Sequence, residues 1–330
     1  MENSIVDVPG IKVGNIHDET GLTGVTVVLP PKGSIGGVDQ RGGAPGTRET
    51  DALRPMHLVN QINAVVLSGG SAYGLEASNG VMKYLGEKGV GVNTGVKHVP
   101  IVAGAVIFDL AIGSADAFPS AEMGYQACLE ATSAPFLQGN IGAGMGAAVG
   151  KLFGMKQAMK SGLGTASILL KGNVIVSALM VVNAFGDVFS TDDKIIAGTR
   201  SFTIAGKRIG ESMTFANTLK SMNTFVGKNI LNLAMHQNTV IGVVATNAKL
   251  DREEINKVAQ MAHNGIARSI SPAHTMLDGD TIFSIATQQK KADVNLIGSY
   301  AALMVKEAII NAVSHAEPLN GLPSAKSLLT

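Results

Sequence analysis

Thr239 to Thr246 reads TVIGVVAT, an apolar run rich in β-branched residues and too short for a buried helix. It predicts a buried strand. The chain that follows changes period: Asp251-x-x-Glu254 is a capping pair, and helical spacing continues to about Ala267. Working outward, strands are predicted at Gly24–Pro30, Gln61–Leu67 and Thr281–Thr287. Two more, Thr165–Leu170 and Asn173–Val182, are joined by a Lys171-Gly172-Asn173 turn. Helices are predicted over Ser71–Lys88 with Ser71 as N-cap, over residues 120–131, and over Ala301–Ala316. Val99 to Leu110 is apolar until it meets Asp109, and Gly139 to Gly150 is a glycine-dense loop. Residues 187–229 are the most polar and least periodic, and predict an exposed, partly mobile linker. Strands, helices and hairpins mix along one chain without a fixed repeat, which favours layered α/β packing with a mixed sheet over a barrel.

Composition narrows the class. Hydrophobic residues make up 45% of the 330 and charged residues 15%, enough apolar material for one large domain. Glycine is 40 of 330, well above the usual ~7%, so backbones can pack closely and expose many N–H groups. Lys and Arg total 26 against 25 for Asp and Glu, which leaves no field to attract nucleic acid or an anionic membrane. Cys128 is alone and forms no intrachain disulfide. The N-terminal residues lack a signal-peptide pattern, and the most apolar stretch, Ile168 to Phe185, is interrupted by Lys171, Gly172 and Asn173. These features predict a soluble cytoplasmic protein.

Several patterns fail as motifs. A phosphate loop ending at Gly150-Lys151 would need Gly at 145 and Ser or Thr at 152, where Met and Leu stand. Gly142 and Gly144 would need a third Gly at 147, which is Ala. Gly70 to Gly74 resembles a nucleophile elbow with its Ser one place early. No His or Cys spacing suits zinc.

The chemistry gathers instead at Asn238–Thr239. The pair lies between a polar segment and the predicted strand, so cleavage there would leave Thr239 heading a rigid element. Its hydroxyl would have its own α-amine in reach, with a pKa near ~8 suited to a general base. Nucleophile and base would then belong to one residue. Before cleavage, the hydroxyl must attack the carbonyl of Asn238. Asp278-Gly279-Asp280 reads either as a tight turn or as two carboxylates turned to one site by the Gly between them.

These residues resemble the self-processing L-aminopeptidase/D-esterase family of N-terminal-nucleophile-type hydrolases. The resemblance runs through RGGAPGTRETD (41–51), LSGGSAYGLEA (67–77), VPIVAGAVIFDL (99–110), GNIGAGMGAAVGK (139–151), SGLGTAS (161–167), NTVIGVVATNA (238–248) and PAHTMLDGDTIFS (272–284). Within it the chain is most similar to the branch of nylon-oligomer (6-aminohexanoate-oligomer) endohydrolases. The resemblance implies an αββα sandwich of four layers, a single domain cut into residues 1–238 and 239–330, and ring-like tetramers of the cleaved pair. No metal or organic cofactor is implied. Thr239 would be the nucleophile, Asp278 and Asp280 its carboxylate network, and Lys151 and Asn183 its neighbours. Asn183, or a backbone N–H near Gly142 or Gly144, would hold the oxyanion. Phe108 stands where the nylon-oligomer enzymes have Tyr. The substrates implied are linear amides such as 6-aminohexanoate oligomers, or small peptides. An aminopeptidase and an acyltransferase similar to ornithine acetyltransferase are the alternatives.

Overall fold

In the computed structural model, which describes all residues except Ala205, 232–237 and Thr330, ten strands carry the architecture. They are β1 (Lys12–Asp18), β2 (Thr23–Leu29), β3 (Ile35–Gln40), β4 (Thr47–Arg48), β5 (Ala64–Ser68), β6 (Val102–Val106), β7 (Leu163–Leu170), β8 (Val174–Asn183), β9 (Thr239–Lys249) and β10 (Thr281–Lys291). One five-stranded sheet has the order β1-β2-β5-β6-β4, the other β7-β8-β9-β10-β3. Each contains one parallel pair, β5 with β6 and β9 with β10, among antiparallel neighbours. The helices that matter here are α1 (Ala77–Glu87), α2 (Ala121–Leu129), α3 (Arg252–Ala267) and α4 (Val294–Ser314).

The layering follows from alternation along the strands. On β9, Val240, Val244 and Ala248 pack in one core with Ile255 and Val258 of α3 and Val305 of α4. Ile241, Val243 and Ala245 face the other way, into a core shared with Val65 and Leu67 of β5 and Ala103 of β6. A third core joins Val25, Val66 and Val102 to Val81 of α1 and Ala127 of α2. Three apolar layers between four structural ones make the αββα sandwich. Strand β9 is buried from Thr239 through Ala248 because both its faces are covered.

Helix α3 opens at Asp251 with the expected reciprocal cap to Glu254. Three expectations need correction. Helix α4 starts at Val294, because the Asp293 side chain accepts from Asn295 N and Leu296 N and caps a turn whose Gly298-Ser299 masks the apolar period. It is the one described helix long and apolar enough to cross a bilayer, yet it packs on β7 and β8 in the core. Residues 71–76 form a 3-10 turn capped by Gly70 in the left-handed region rather than an α-helical start capped by Ser71. Residues 187–229 are not a bare linker. Asp187–Phe189 pairs with Ile195–Ala197, and Phe202–Ile204 with Lys207–Ile209. Asp187 is fully buried there and accepts from Thr199 N, Thr218 N and Thr218 Oγ1 at 2.8, 2.5 and 2.7 Å. Burial raises its carboxyl pKa against the pull of those donors.

Removing this carboxylate strands three buried donors. Asp187→Ala should lower the unfolding free energy by about 3 kcal/mol in urea titration. A loss under ~0.5 kcal/mol would mean that the segment is held otherwise.

Candidate active site

Thr239 is the first residue of β9 and stands in register with Asn183, the last of β8. By alternation both share the faces of Ile241 and Val181, turned toward the other sheet. Both are buried. Asn238 is held from two sides by the segment that precedes β10. Its N–H donates to Leu277 O at 2.9 Å, and its carbonyl oxygen accepts from Gly279 N at 2.7 Å. The peptide between Asn238 and Thr239 is therefore clamped at the carbonyl that a Thr239 hydroxyl would attack.

Asp278-Gly279-Asp280 is built to make that contact. Asp278 Oδ2 accepts from Thr275 N and Oγ1 at 2.8 and 2.6 Å. Asp280 Oδ1 accepts from Val240 N at 2.8 Å, and its Oδ2 from His274 N and Nδ1 at 3.1 and 2.7 Å. The Arg41-to-Ala44 segment braces the backbone, with Arg41 N donating to Asp280 O at 2.9 Å and Ala44 N to Asp278 O at 2.8 Å. Gly279 has no room for a side chain: a Cβ would lie 2.7 Å from Ala44 O and 2.9 Å from Thr239 Oγ1. Burial pushes the Asp278 carboxyl up to about 6, and the neighbouring Asp280 adds to the rise.

Lys151 is buried, not a solvated surface Lys. Its Nζ donates to Asn183 O at 3.0 Å and Asn183 Oδ1 at 2.6 Å. Burial brings its pKa down to about 7, opposed by attraction from Asp278 and Asp109. Asn183 completes its bonding by accepting from Ala148 N at 3.1 Å and donating from Nδ2 to Phe108 O at 3.0 Å. Phe108, Ala111, Ile112, Met155 and Lys151 line a pocket beside Asn183.

The structure joins Thr239, Asn238, Asp278 and Asp280 directly, and Lys151, Asn183 and Phe108 through the β8–β9 register. It gives Gly142 and Gly144 other work. Gly142 packs on Thr26 and Asn15, and Gly144 on the backbone of Leu163. The glycine-rich loop reaches Asn183 through Ala148 N and Lys151. The donor on the Asn238 carbonyl also differs from expectation. It is Gly279 N, while the Asn183 amide is spent on Phe108 O.

Two residues escape sequence reading. Asp109 is the penultimate residue of the VPIVAGAVIFDL run, and its partners are distant. Gly70 N donates to Oδ1 at 2.6 Å and Thr23 Oγ1 to Oδ2 at 2.8 Å. A Cβ at Gly69 would stand 2.1 Å from Asp109 Oδ2, which explains a glycine there. Burial lifts the Asp109 carboxyl to about 6. The other is His274, which sits inside the quoted PAHTMLDGDTIFS segment and bonds Asp280.

A clamped peptide carbonyl, a hydroxyl beside it and buried groups titrating near neutrality are the parts of an amide-bond hydrolase. The chain belongs to peptidase family S58, whose model matches residues 3–326. It is 39% identical to an uncharacterized aminopeptidase of Mycobacterium tuberculosis over 99% of this chain and 98% of that one. It is 32% identical to a 6-aminohexanoate-oligomer endohydrolase of a Kocuria species, over 93% of this chain and 81% of the relative. The fold matches the L-aminopeptidase D-Ala-esterase/amidase of Ochrobactrum anthropi, described as a variant of the Ntn-hydrolase fold. The TM-score is 0.68 at 21% identity, covering 98% of this chain and 88% of that one. The chain is thus a peptide or amide hydrolase.

The electrostatics can be read residue by residue with 15N NMR of labelled lysines. Lys151 Nζ should titrate near 7, as should the buried Lys160, which donates to Gly144 O, Ala147 O and Ser161 O. Asp278→Asn should lower the Lys151 midpoint and leave Lys160 in place, whereas Asp109→Asn should lower both. Ordinary lysine midpoints would contradict the burial argument.

Proposed function

We propose that the chain cuts itself between Asn238 and Thr239 and that Thr239 then hydrolyses linear amides. The contact of Gly279 N with Asn238 O carries this reading. In the intact chain Thr239 Oγ1 attacks the Asn238 carbonyl carbon. Charge developing on the Asn238 oxygen meets the Gly279 N–H, an oxyanion contact worth ~3–4 kcal/mol. With no α-amine yet available, the hydroxyl proton passes to a buried base. Lys151, brought down to about 7, and Asp278, raised to about 6, are poised for that role. The proton ends on the departing Thr239 nitrogen. Water opens the resulting ester, leaving the Asn238 carboxylate and a free Thr239 amine.

In turnover that amine is the base. A substrate carbonyl takes the place of the Asn238 carbonyl, Thr239 Oγ1 adds to it, and the amine product leaves with the proton. Water then releases the acyl group. The pocket walls of Phe108, Ala111, Ile112 and Met155 suit an aliphatic chain. Among the described residues the lining holds no carboxylate to pair with a substrate ammonium, which favours internal amides over an aminopeptidase requirement for a free amine. The name of the mycobacterial relative supports the aminopeptidase reading, and N-acetylated against free-amine substrates separate the two.

Denaturing mass spectrometry should find two polypeptides, residues 1–238 and 239–330, and one full-length chain in Thr239→Ala, which should also lack hydrolase activity. An uncleaved wild-type chain with full activity would rule out this mechanism.

A further inference from the structure

His274 is the side-chain donor to Asp280, and its surroundings constrain it closely. It adopts φ +57, a left-handed conformation that costs a residue with a Cβ and is kept where something holds it. Its Nδ1 lies 2.7 Å from Asp280 Oδ2, and its own backbone N lies 3.1 Å from the same oxygen. Since a carboxylate only accepts, Nδ1 carries the proton. Nε2 is buried and has no hydrogen-bond partner among the described residues, so the other side of the ring is not engaged.

The ring packs edge-on against His263 of α3, with centroids 4.8 Å apart. His263 is fully buried, and Nε2 lies 2.9 Å from Asp39 O, a contact that requires Nε2 to donate. Burial brings its pKa down to about 4, so it is a neutral wall and not a second charge. Behind it, Asp39 on β3 is paired with Arg41 at 2.7 Å. Asp278, Lys151 and Asp109 are other ionisable groups of this site. Asp280 is therefore the group on which His274 acts, and Asp280 in turn grips Val240 N, the amide that follows Thr239.

We propose that His274 is a positioning residue: its Nδ1–H holds the Asp280 carboxylate oriented so that Val240 N, and with it Thr239, stays in register with Gly279. This rests on Thr239 being the reactive residue. His274 touches no substrate. It acts through Asp280.

The test compares His274→Gly with His274→Asn. Both accept a positive φ, so neither forces the backbone. Only Asn keeps a side-chain N–H near the Nδ1 position. Self-cleavage and amide hydrolysis should slow about tenfold or more in His274→Gly, the loss expected for a hydrogen bond to a charged group. His274→Asn should recover most of the rate of both self-cleavage and hydrolysis. Wild-type rates of self-cleavage and hydrolysis in His274→Gly would overturn the inference. So would equal impairment in both variants, which would make ring packing on His263 the essential feature. Imidazole 15N NMR reads the tautomer without turnover: Nδ1 protonated and Nε2 bare in the wild-type chain. An Nε2–H tautomer overturns the role of His274, whereas an inactive, uncleaved wild-type chain with the expected tautomer overturns the reading of Thr239 instead.

Discussion

The hydrogen bond from Gly279 N to the carbonyl oxygen of Asn238 is the contact around which the site is arranged. It asks that two segments far apart in sequence lie parallel at sub-ångström precision, and the fold supplies that. Strands β9 and β10 are parallel neighbours at the centre of one sheet, and the residues just before each, Asn238 and Asp278, continue the pairing as an isolated bridge. Both faces of β9 are covered, by α3 and α4 on one side and the second sheet on the other. A strand so enclosed has little freedom to slip, because a shift of one residue would exchange its two apolar faces. The sandwich thus converts ordinary hydrophobic burial into the placement of one peptide bond.

Burial also sets the charges. Lys151 lies between the fields of Asp278 and Asp109, and both carboxyls are raised while the ammonium is lowered. All three converge on the neutral range because desolvation outweighs their mutual attraction. Such groups cost stability, and a buried ionisable cluster is weak evidence of structural benefit. Their arrangement suits the proton transfer proposed for Thr239. Asn183 ties this cluster to the strand pair, since it bonds Lys151 and Phe108 and stands in register with Thr239.

Much of this is legible in the sequence where the signal is local. The β-branched run of β9, the Asp251–Glu254 cap and the Lys171–Asn173 turn each announce their element. Thr239, Asp278 and Asp280 stand out through the family resemblance of the segments that carry them, NTVIGVVATNA and PAHTMLDGDTIFS. What stays hidden is long-range or lies in the backbone. Asp187 finds its donors at Thr199 and Thr218, so its segment looks like a polar linker when read by local period. Asp109 needs Gly70 and Thr23, and His274 needs the crossing of α3 beneath it. The donor that Gly279 gives to the Asn238 carbonyl is a main-chain N–H, which every non-proline residue possesses and no residue type advertises.

The account stands most directly on that N–H. In Gly279→Ala the new Cβ would press on Ala44 O and on Thr239 Oγ1, forcing the donor off the Asn238 carbonyl. The rate at which the 239–330 fragment appears, followed by denaturing mass spectrometry of freshly made protein, measures the consequence. The account predicts a fall of about a hundredfold or more in protein that still unfolds cooperatively. Cleavage at the wild-type rate would contradict it.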